Sequence, residues 1–346
     1  RKPPRMQFVD ARRSGLPRHP SKTWKKRDVD ELLGGCVHHT AGGDNPVNTA
    51  TYHVGKSHTS SDGMPGLAYT FFITRPGVIW MANGLDDRTW SQGGKSAPDV
   101  DGDGDPTNYN LSGGDRPEII GDQGIWWVMN DAGNDHNPGA PLGIEIQALA
   151  WAFARADALG QTTFYRYRII NKNSVDITDA YISIFSDPDL GDAGDDYIGV
   201  DTTLSLGFVY NDKNEDASYG SPPPAAGYDF FQGPIVGDDT LGATAFSTFI
   251  NGGPDGTTDP GTPEEYRFYM QGLWGNGTPY YEFGNGFEQS ASGAAITKFI
   301  YAGDPATESY YSEVNVDDAG TPSPHGDRRL VISTGPFTLE RGVPQD

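Results

Sequence analysis

Two clusters of aspartate residues hold most of the side chains that could do chemistry in this 346-residue chain. The first cluster has acids at Asp99, Asp101 and Asp103, followed by Gly104. This spacing copies the opening of an EF-hand loop, in which alternate carboxylates bind calcium and the glycine makes a sharp turn. The twelfth position holds Asn110 in place of the expected acid, which favours a looser calcium loop over a helix-loop-helix hand.

The second cluster places six acids within fifteen residues, with glycines between them. Its members are Asp187, Asp189, Asp192, Asp195, Asp196 and Asp201. These carboxylates repel one another unless water or a cation separates them, and calcium suits hard oxygen ligands in irregular loops. The sequence therefore predicts calcium here, with a solvated acidic turn as the alternative. Paired carboxylates also serve glycoside hydrolysis, but the sequence fixes no such pair.

A histidine pair, His38-His39, follows the apolar run 32–37. A buried strand that delivers imidazoles to its end is one way to begin a metal site. Cys36, two residues before His38, is more typical of a small core side chain than of a ligand. Asn45-Pro46 is a helix-start signal, so we expect a helix at about 47–54 between the strands of an α/β unit.

The order and spacing of residues 6–94 resemble the zinc-dependent N-acetylmuramoyl-L-alanine amidases of the peptidoglycan-recognition and phage-lysozyme type. The resemblance is carried by Val9-Asp10-Ala11-Arg12, His38-His39-Thr40, Gly63-Met64-Pro65-Gly66 and Thr89-Trp90-Ser91-Gln92-Gly93. It implies that His38 is a zinc ligand and that Tyr69 lies near the reacting carbonyl. Thr70 stands where many members have another histidine, and no further ligand motif follows Gly94. Because a catalytic zinc needs three protein ligands, we expect neither stoichiometric zinc nor amidase activity.

The charge of the chain is unevenly distributed around a net value of −22. Residues 1–30 hold ten Lys/Arg and three Asp/Glu, so this segment, a basic arm, carries +7 and the rest carries −29. An acidic body of this size disfavours nucleic acid as a partner, because each phosphate contact needs a cation. The single cysteine excludes an internal disulfide, and no apolar stretch reaches membrane-spanning length.

The composition changes near Lys95, after which glycine, proline and aromatic residues dominate and helical periodicity is weak. Alternating runs predict strands at 163–170, 180–185, 204–210 and 329–333. Many strands with loop-rich joints indicate a mainly antiparallel β-sandwich over residues 95–346. The alternation predicts core positions at Phe164, Tyr181, Ile184, Leu206 and Phe208.

This acidic second part resembles a type of large secreted protein of Bacteroidota that has no assigned activity. The resemblance is carried by Ser186-Asp187-Pro188-Asp189-Leu190-Gly191, by Gly227-Tyr228-Asp229-Phe230-Phe231-Gln232-Gly233-Pro234, and by residues 121–131, 142–147, 195–201 and 326–337.

The two resemblances together predict a mixed fold with a partial α/β amidase-like unit at 31–94 and a β-sandwich at 95–346. They imply an extracellular or cell-surface protein that has a structural or binding role and calcium-stabilised loops. Peptidoglycan or a surface polysaccharide is the expected partner. The alternative function is a zinc amidase that cleaves the bond between N-acetylmuramic acid and L-alanine. A third interpretation is an artificial junction of two halves near Gly94.

Overall fold

A computed structural model describes four strand segments, 37–41, 50–54, 72–73 and 80–82, and then residues 98–346 with gaps. The gaps fall at 107, 109, 131–139, 141, 251–252, 254–255, 287–291 and 315–320. The predicted basic arm at 1–30, together with Tyr69 and Cys36, lies outside the described residues.

Most of the regular secondary structure in the described residues is β-strand. The strands are β1 (Val37–Ala41), β2 (Ala50–Val54), β3 (Phe72–Ile73), β4 (Trp80–Ala82), β5 (Asp99–Val100), β6 (Arg116–Pro117), β7 (Gln123–Asn130), β8 (Ile144–Ala152), β9 (Thr163–Asn171), β10 (Ile177–Ser186), β11 (Asp196–Asp201), β12 (Leu206–Asn211), β13 (Ala226–Asp229), β14 (Ile235–Val236), β15 (Asp239–Thr240), β16 (Ala245–Ile250), β17 (Tyr280–Tyr281), β18 (Ile296–Thr297) and β19 (Arg328–Leu339). The α-helix among these residues is α1 (Pro263–Met270).

The first three strands form an antiparallel sheet in the order β1-β2-β3. The helix predicted at about 47–54 is wrong, because Ala50–Val54 is a strand paired with β1. Its residues Thr51, Tyr52 and Val54 have high β-propensity, and this outweighs the helix-start signal at Asn45-Pro46. The α/β amidase-like unit is therefore not shown by the described residues.

A four-stranded antiparallel sheet has the order β4-β7-β8-β9. Its strand β4 precedes the predicted boundary at residue 95, whereas its other strands follow that boundary. Trp126 and Ala148 on β7 and β8 are buried almost completely. This sheet therefore joins residues from both sides of the change in composition.

Two three-stranded antiparallel sheets, β10-β19-β16 and β11-β12-β13, contribute to one core. The buried core side chains of these sheets are Ile198, Val200, Val209, Tyr228, Phe246, Phe249, Leu330, Val331 and Ile332. Gly207 on β12 permits close packing, since a Cβ atom at this position would lie 2.9 Å from Cε2 of Phe246 on β16.

The helix α1 begins with a reciprocal capping arrangement. The Thr262 hydroxyl accepts a hydrogen bond from the Glu265 backbone N–H, and the Glu265 carboxylate accepts one from the Thr262 N–H. Pro263 occupies the first turn, where its missing N–H costs nothing. Tyr269, near the end of α1, is buried in the common core.

The structure confirms the prediction of a β-rich, mostly antiparallel fold. The predicted core set is confirmed less well. All five side chains are half-buried, and Ile184 is the one of the five that packs against the common core. On β12 the buried positions are Gly207, Val209 and Asn211, so the predicted phase of this strand is wrong by one residue. Apolar residues occupy both faces of β12, so alternation alone does not fix its phase.

No helix in the described segments has the length and apolar character needed to cross a bilayer.

Candidate metal centres

The first acidic group consists of Asp101, Asp103 and Asp115, whose carboxylate oxygens lie within 4.8 Å of one another. The short β5–β6 pair closes the loop that carries the three acids. The group could hold a metal ion, as the sequence predicts for Asp101 and Asp103. The predicted ligand Asp99 lies on β5 outside the group, and burial, followed by the negative charge of Asp115, raises its pKa.

Backbone N–H groups already satisfy much of this first group. Asp115 is buried, and its two oxygens accept hydrogen bonds from the N–H groups of Gly102, at 2.9 Å, and of Asn110. These bonds, with that of Asn110 the strongest, lower the pKa of Asp115. Asp101 and Asp103 are exposed and accept bonds from their own loop. The loop is therefore held by its own backbone, and two of its three acids face water.

The second acidic group consists of Asp187, Asp189 and Asp327, again with carboxylate oxygens within 4.8 Å of one another. Asp187 and Asp189 follow the end of β10, and Asp327 immediately precedes β19. The antiparallel pairing of these strands, with Ser186 opposite Leu330, brings the two ends together. Asp187 is only 5% exposed, and its Oδ1 atom is buried with no hydrogen-bond partner among the described residues.

Arg329 supplies one positive charge to this second group. Its guanidinium lies 3.3 Å from Oδ2 of Asp187, 3.3 Å from Oδ1 of Asp259 and 3.5 Å from Oδ2 of Asp327. Three carboxylates thus lie against one guanidinium, and Asp189 lies close to two of them, so negative charge is in excess. Burial, only partly offset by Arg329, raises the pKa of Asp187 to about 7. A divalent cation at this position would favour the ionised carboxylates.

Four predicted ligands of the 187–201 loop, Asp192, Asp195, Asp196 and Asp201, belong to neither group among the described residues. Asp192 accepts a hydrogen bond from the Gly194 N–H at 3.0 Å, and Asp195 accepts one from the Asn211 side chain at 2.8 Å. Asp201 accepts bonds from the hydroxyl and N–H groups of Thr203, and the hydroxyl bond contributes most to lowering its pKa. Asp192 and Asp201 therefore close turns, whereas Asp195 links its loop to the end of β12.

Asp196 has a different role from its neighbours, because it is fully buried. Its Oδ2 atom accepts a hydrogen bond from the Leu190 N–H at 3.0 Å, which ties the start of β11 to the preceding loop. Burial raises the pKa of Asp196 to about 8. The buried position therefore favours the neutral form of this carboxyl group.

The predicted amidase residues are placed only in part. His38 lies on β1 directly opposite His53 on β2 in the antiparallel register. Tyr69 lies outside the described residues. The register thus brings two histidine positions together, whereas zinc sites use three or four protein ligands.

Arg328, the first residue of β19, forms a buried ion pair with Glu313 next to the second acidic group. Arg328 is 2% exposed, and its Nε and Nη2 atoms lie 3.0 and 2.9 Å from Oε1 of Glu313. The same carboxylate accepts hydrogen bonds from the Ser323 hydroxyl, at 2.9 Å, and from the Ile198 N–H, at 2.7 Å. The adjacent residues Arg328 and Arg329 therefore serve two separate carboxylate clusters.

The sequence reasoning missed Asp115 and Asp327. Asp115 follows Gly113-Gly114, outside the span of the EF-hand pattern, so that pattern does not include it. Asp327 precedes Arg328-Arg329 and the long apolar β19, but its proximity to Asp187 depends on strand pairing across the chain. A local sequence pattern carries no signal for such a contact.

Comparisons of the chain with protein-family models, curated proteins and solved structures found no match. The site geometry is therefore the basis for a functional conclusion.

Proposed function

We propose that this chain is a secreted or cell-surface protein with a structural or binding role, in which calcium stabilises acidic loops. The observation that carries the proposal is the second acidic group, where Asp187 is buried beside two further carboxylates with one guanidinium for compensation. Oxygen-only ligands in irregular loops suit calcium better than zinc or copper. The role assigned to the ion is to hold the fold and not to carry out a reaction.

Peptidoglycan or a surface polysaccharide is the partner that we propose for this protein. The ring of Phe231 is 76% exposed and stacks on Phe164, with ring centroids 6.0 Å apart. An exposed aromatic face can pack against the apolar face of a sugar. The net charge of −22 disfavours nucleic acid.

Calcium is expected to raise the thermal unfolding midpoint of the purified protein relative to a chelator. An ion that binds the folded state alone stabilises it by about 2.7 kcal/mol at a hundredfold excess over its dissociation constant. Thermal unfolding followed by circular dichroism in millimolar calcium and in chelator measures this change, with magnesium at equal ionic strength as the control. Equal midpoints in calcium and chelator would show that calcium does not stabilise the acidic loops.

The second candidate function is the zinc-dependent amidase, which the opposed positions of His38 and His53 favour. Zinc bound to such a site would polarise the amide carbonyl and activate water. Within the strands described before residue 98, two histidine positions are fewer than the three ligands that a catalytic zinc needs.

We therefore expect purified protein to contain less than stoichiometric zinc and to release no L-alanine peptides from peptidoglycan. Elemental analysis and chromatography of the digest measure the two quantities. Release of such peptides by the parent protein, together with its loss in His38→Ala, would establish the amidase in place of the structural role.

A further inference from the structure

We infer that Asp187, Asp189 and Asp327 form a single calcium site that clamps the end of β10 to the start of β19. The inference rests on the proposed function and deepens it by assigning the ion to one place. It adds Asp327 to the predicted ligands. It removes four of them, whose carboxylates accept hydrogen bonds within the fold: Asp192, Asp195, Asp196 and Asp201.

The convergence of three carboxylates is the first argument for this site. Their oxygens lie within 4.8 Å of one another, so one ion can contact all three side chains. Calcium takes six to eight oxygen ligands at about 2.3–2.6 Å. Three carboxylates supply three to six of these oxygens, and backbone carbonyls or water molecules can supply the rest.

The buried Oδ1 atom of Asp187 is the second and independent argument. This oxygen is shielded from solvent and accepts no hydrogen bond from the described residues. Burying an oxygen without a partner is unfavourable, so native proteins leave few such oxygens. The guanidinium of Arg329 lies against the other oxygen, Oδ2, at 3.3 Å. A cation in the group would supply the partner that Oδ1 lacks.

Arg329 acts as a positioning residue for the site. It lies close to Oδ2 of Asp187 and Oδ2 of Asp327, and it also contacts the exposed carboxylate of Asp259. A guanidinium offers several donors in a rigid plane, so it can orient two carboxylates at once. The two acids are thereby held near each other from one side, and Oδ1 of Asp187 is left for an ion.

The first acidic group has no buried carboxylate oxygen that lacks a hydrogen-bond partner among the described residues. Both oxygens of its buried member, Asp115, already accept backbone hydrogen bonds, and Asp101 and Asp103 are exposed. Water can satisfy exposed carboxylates without an ion. The structure therefore favours the group at β10 and β19.

The site is tested by the calcium affinity of Asp327→Asn, measured by isothermal titration with calcium alone. This isosteric change removes one charge and leaves the loop sequence 187–201 intact. We expect the dissociation constant to rise at least about tenfold, because one of three anionic ligands is lost. The matched control is Asp192→Asn, which removes one charge from an exposed side chain in the same region and should bind calcium like the parent.

Thermal unfolding of the same variants separates a folding defect from a binding defect. In chelator, Asp327→Asn should unfold at or above the midpoint of the parent, because repulsion among the acids decreases. In calcium it should lose most of the rise that the parent shows. If the parent binds calcium and Asp327→Asn binds it equally well, the inference is wrong and the proposed function survives. If the parent itself does not bind calcium, both are wrong.

Discussion

Replacing Glu313 with glutamine is expected to lower the free energy of unfolding by about 3–5 kcal/mol. Glu313 is 3% exposed, and it is the carboxylate partner of the buried Arg328. Glutamine preserves the size of the side chain but leaves the guanidinium without its counter-charge in a dry environment. Most of the expected loss therefore comes from the unpaired cation and not from the bond itself. Urea denaturation of the variant measures the loss.

Two further variants test this explanation of the Glu313 effect. In Glu313→Gln/Arg328→Met the buried cation is removed as well, so the double variant should lose less stability than the sum of the two single changes. Asp157→Asn breaks the pair with Arg155, whose side chains are 51% and 54% exposed, and should cost less than about 1 kcal/mol. Equal losses in Glu313→Gln and Asp157→Asn would contradict the buried-pair explanation.

Phe246→Ala is expected to cost about 3–5 kcal/mol of unfolding free energy. The ring is fully buried on β16, and it faces Gly207 of β12 across the core. Because Gly207 has no side chain, nothing on β12 at that point can move into the cavity that the substitution creates. The loss should therefore lie in the upper half of the range for large-to-small core changes. Chemical denaturation measures the loss.

Phe231→Ala is the matched control for Phe246→Ala, since it removes the same ring from a position that is 76% exposed. Its cost should stay below about 1 kcal/mol, because little apolar surface is returned to water. A comparable loss in both variants would show that Phe246 does not occupy a tightly packed core position.

The location of strands could be predicted from the sequence where alternation and β-propensity agree. The runs at 163–170, 180–185 and 329–333 correspond to β9, β10 and β19. The phase of β12 could not be predicted, because Leu206, Phe208 and Val209 are apolar on both of its faces. At Ala50–Val54 the helix-start signal was misleading, because pairing with β1 determines the structure of this segment.

Only those residues of the acidic site that are neighbours in sequence could be predicted. Asp187 and Asp189 stand out by their spacing, but Asp327 joins them through the register of β10 with β19. The same spacing also selected Asp192 and Asp201, which accept turn hydrogen bonds instead. Aspartate binds cations and closes turns with the same oxygens, so a count of acids does not separate these two uses.

The position of β19 between β10 and β16 delays the folding of β10 while the chain is being synthesised. Ser183 of β10 is bonded to Ser333 of β19, 150 residues further along the chain. At about 5–20 residues per second, β10 waits roughly 8–30 s for this partner after it has been synthesised. During that interval its apolar residues and unpaired edge groups are available to other nascent chains. We therefore expect productive synthesis to depend on a chaperone that shields β10 until β19 emerges.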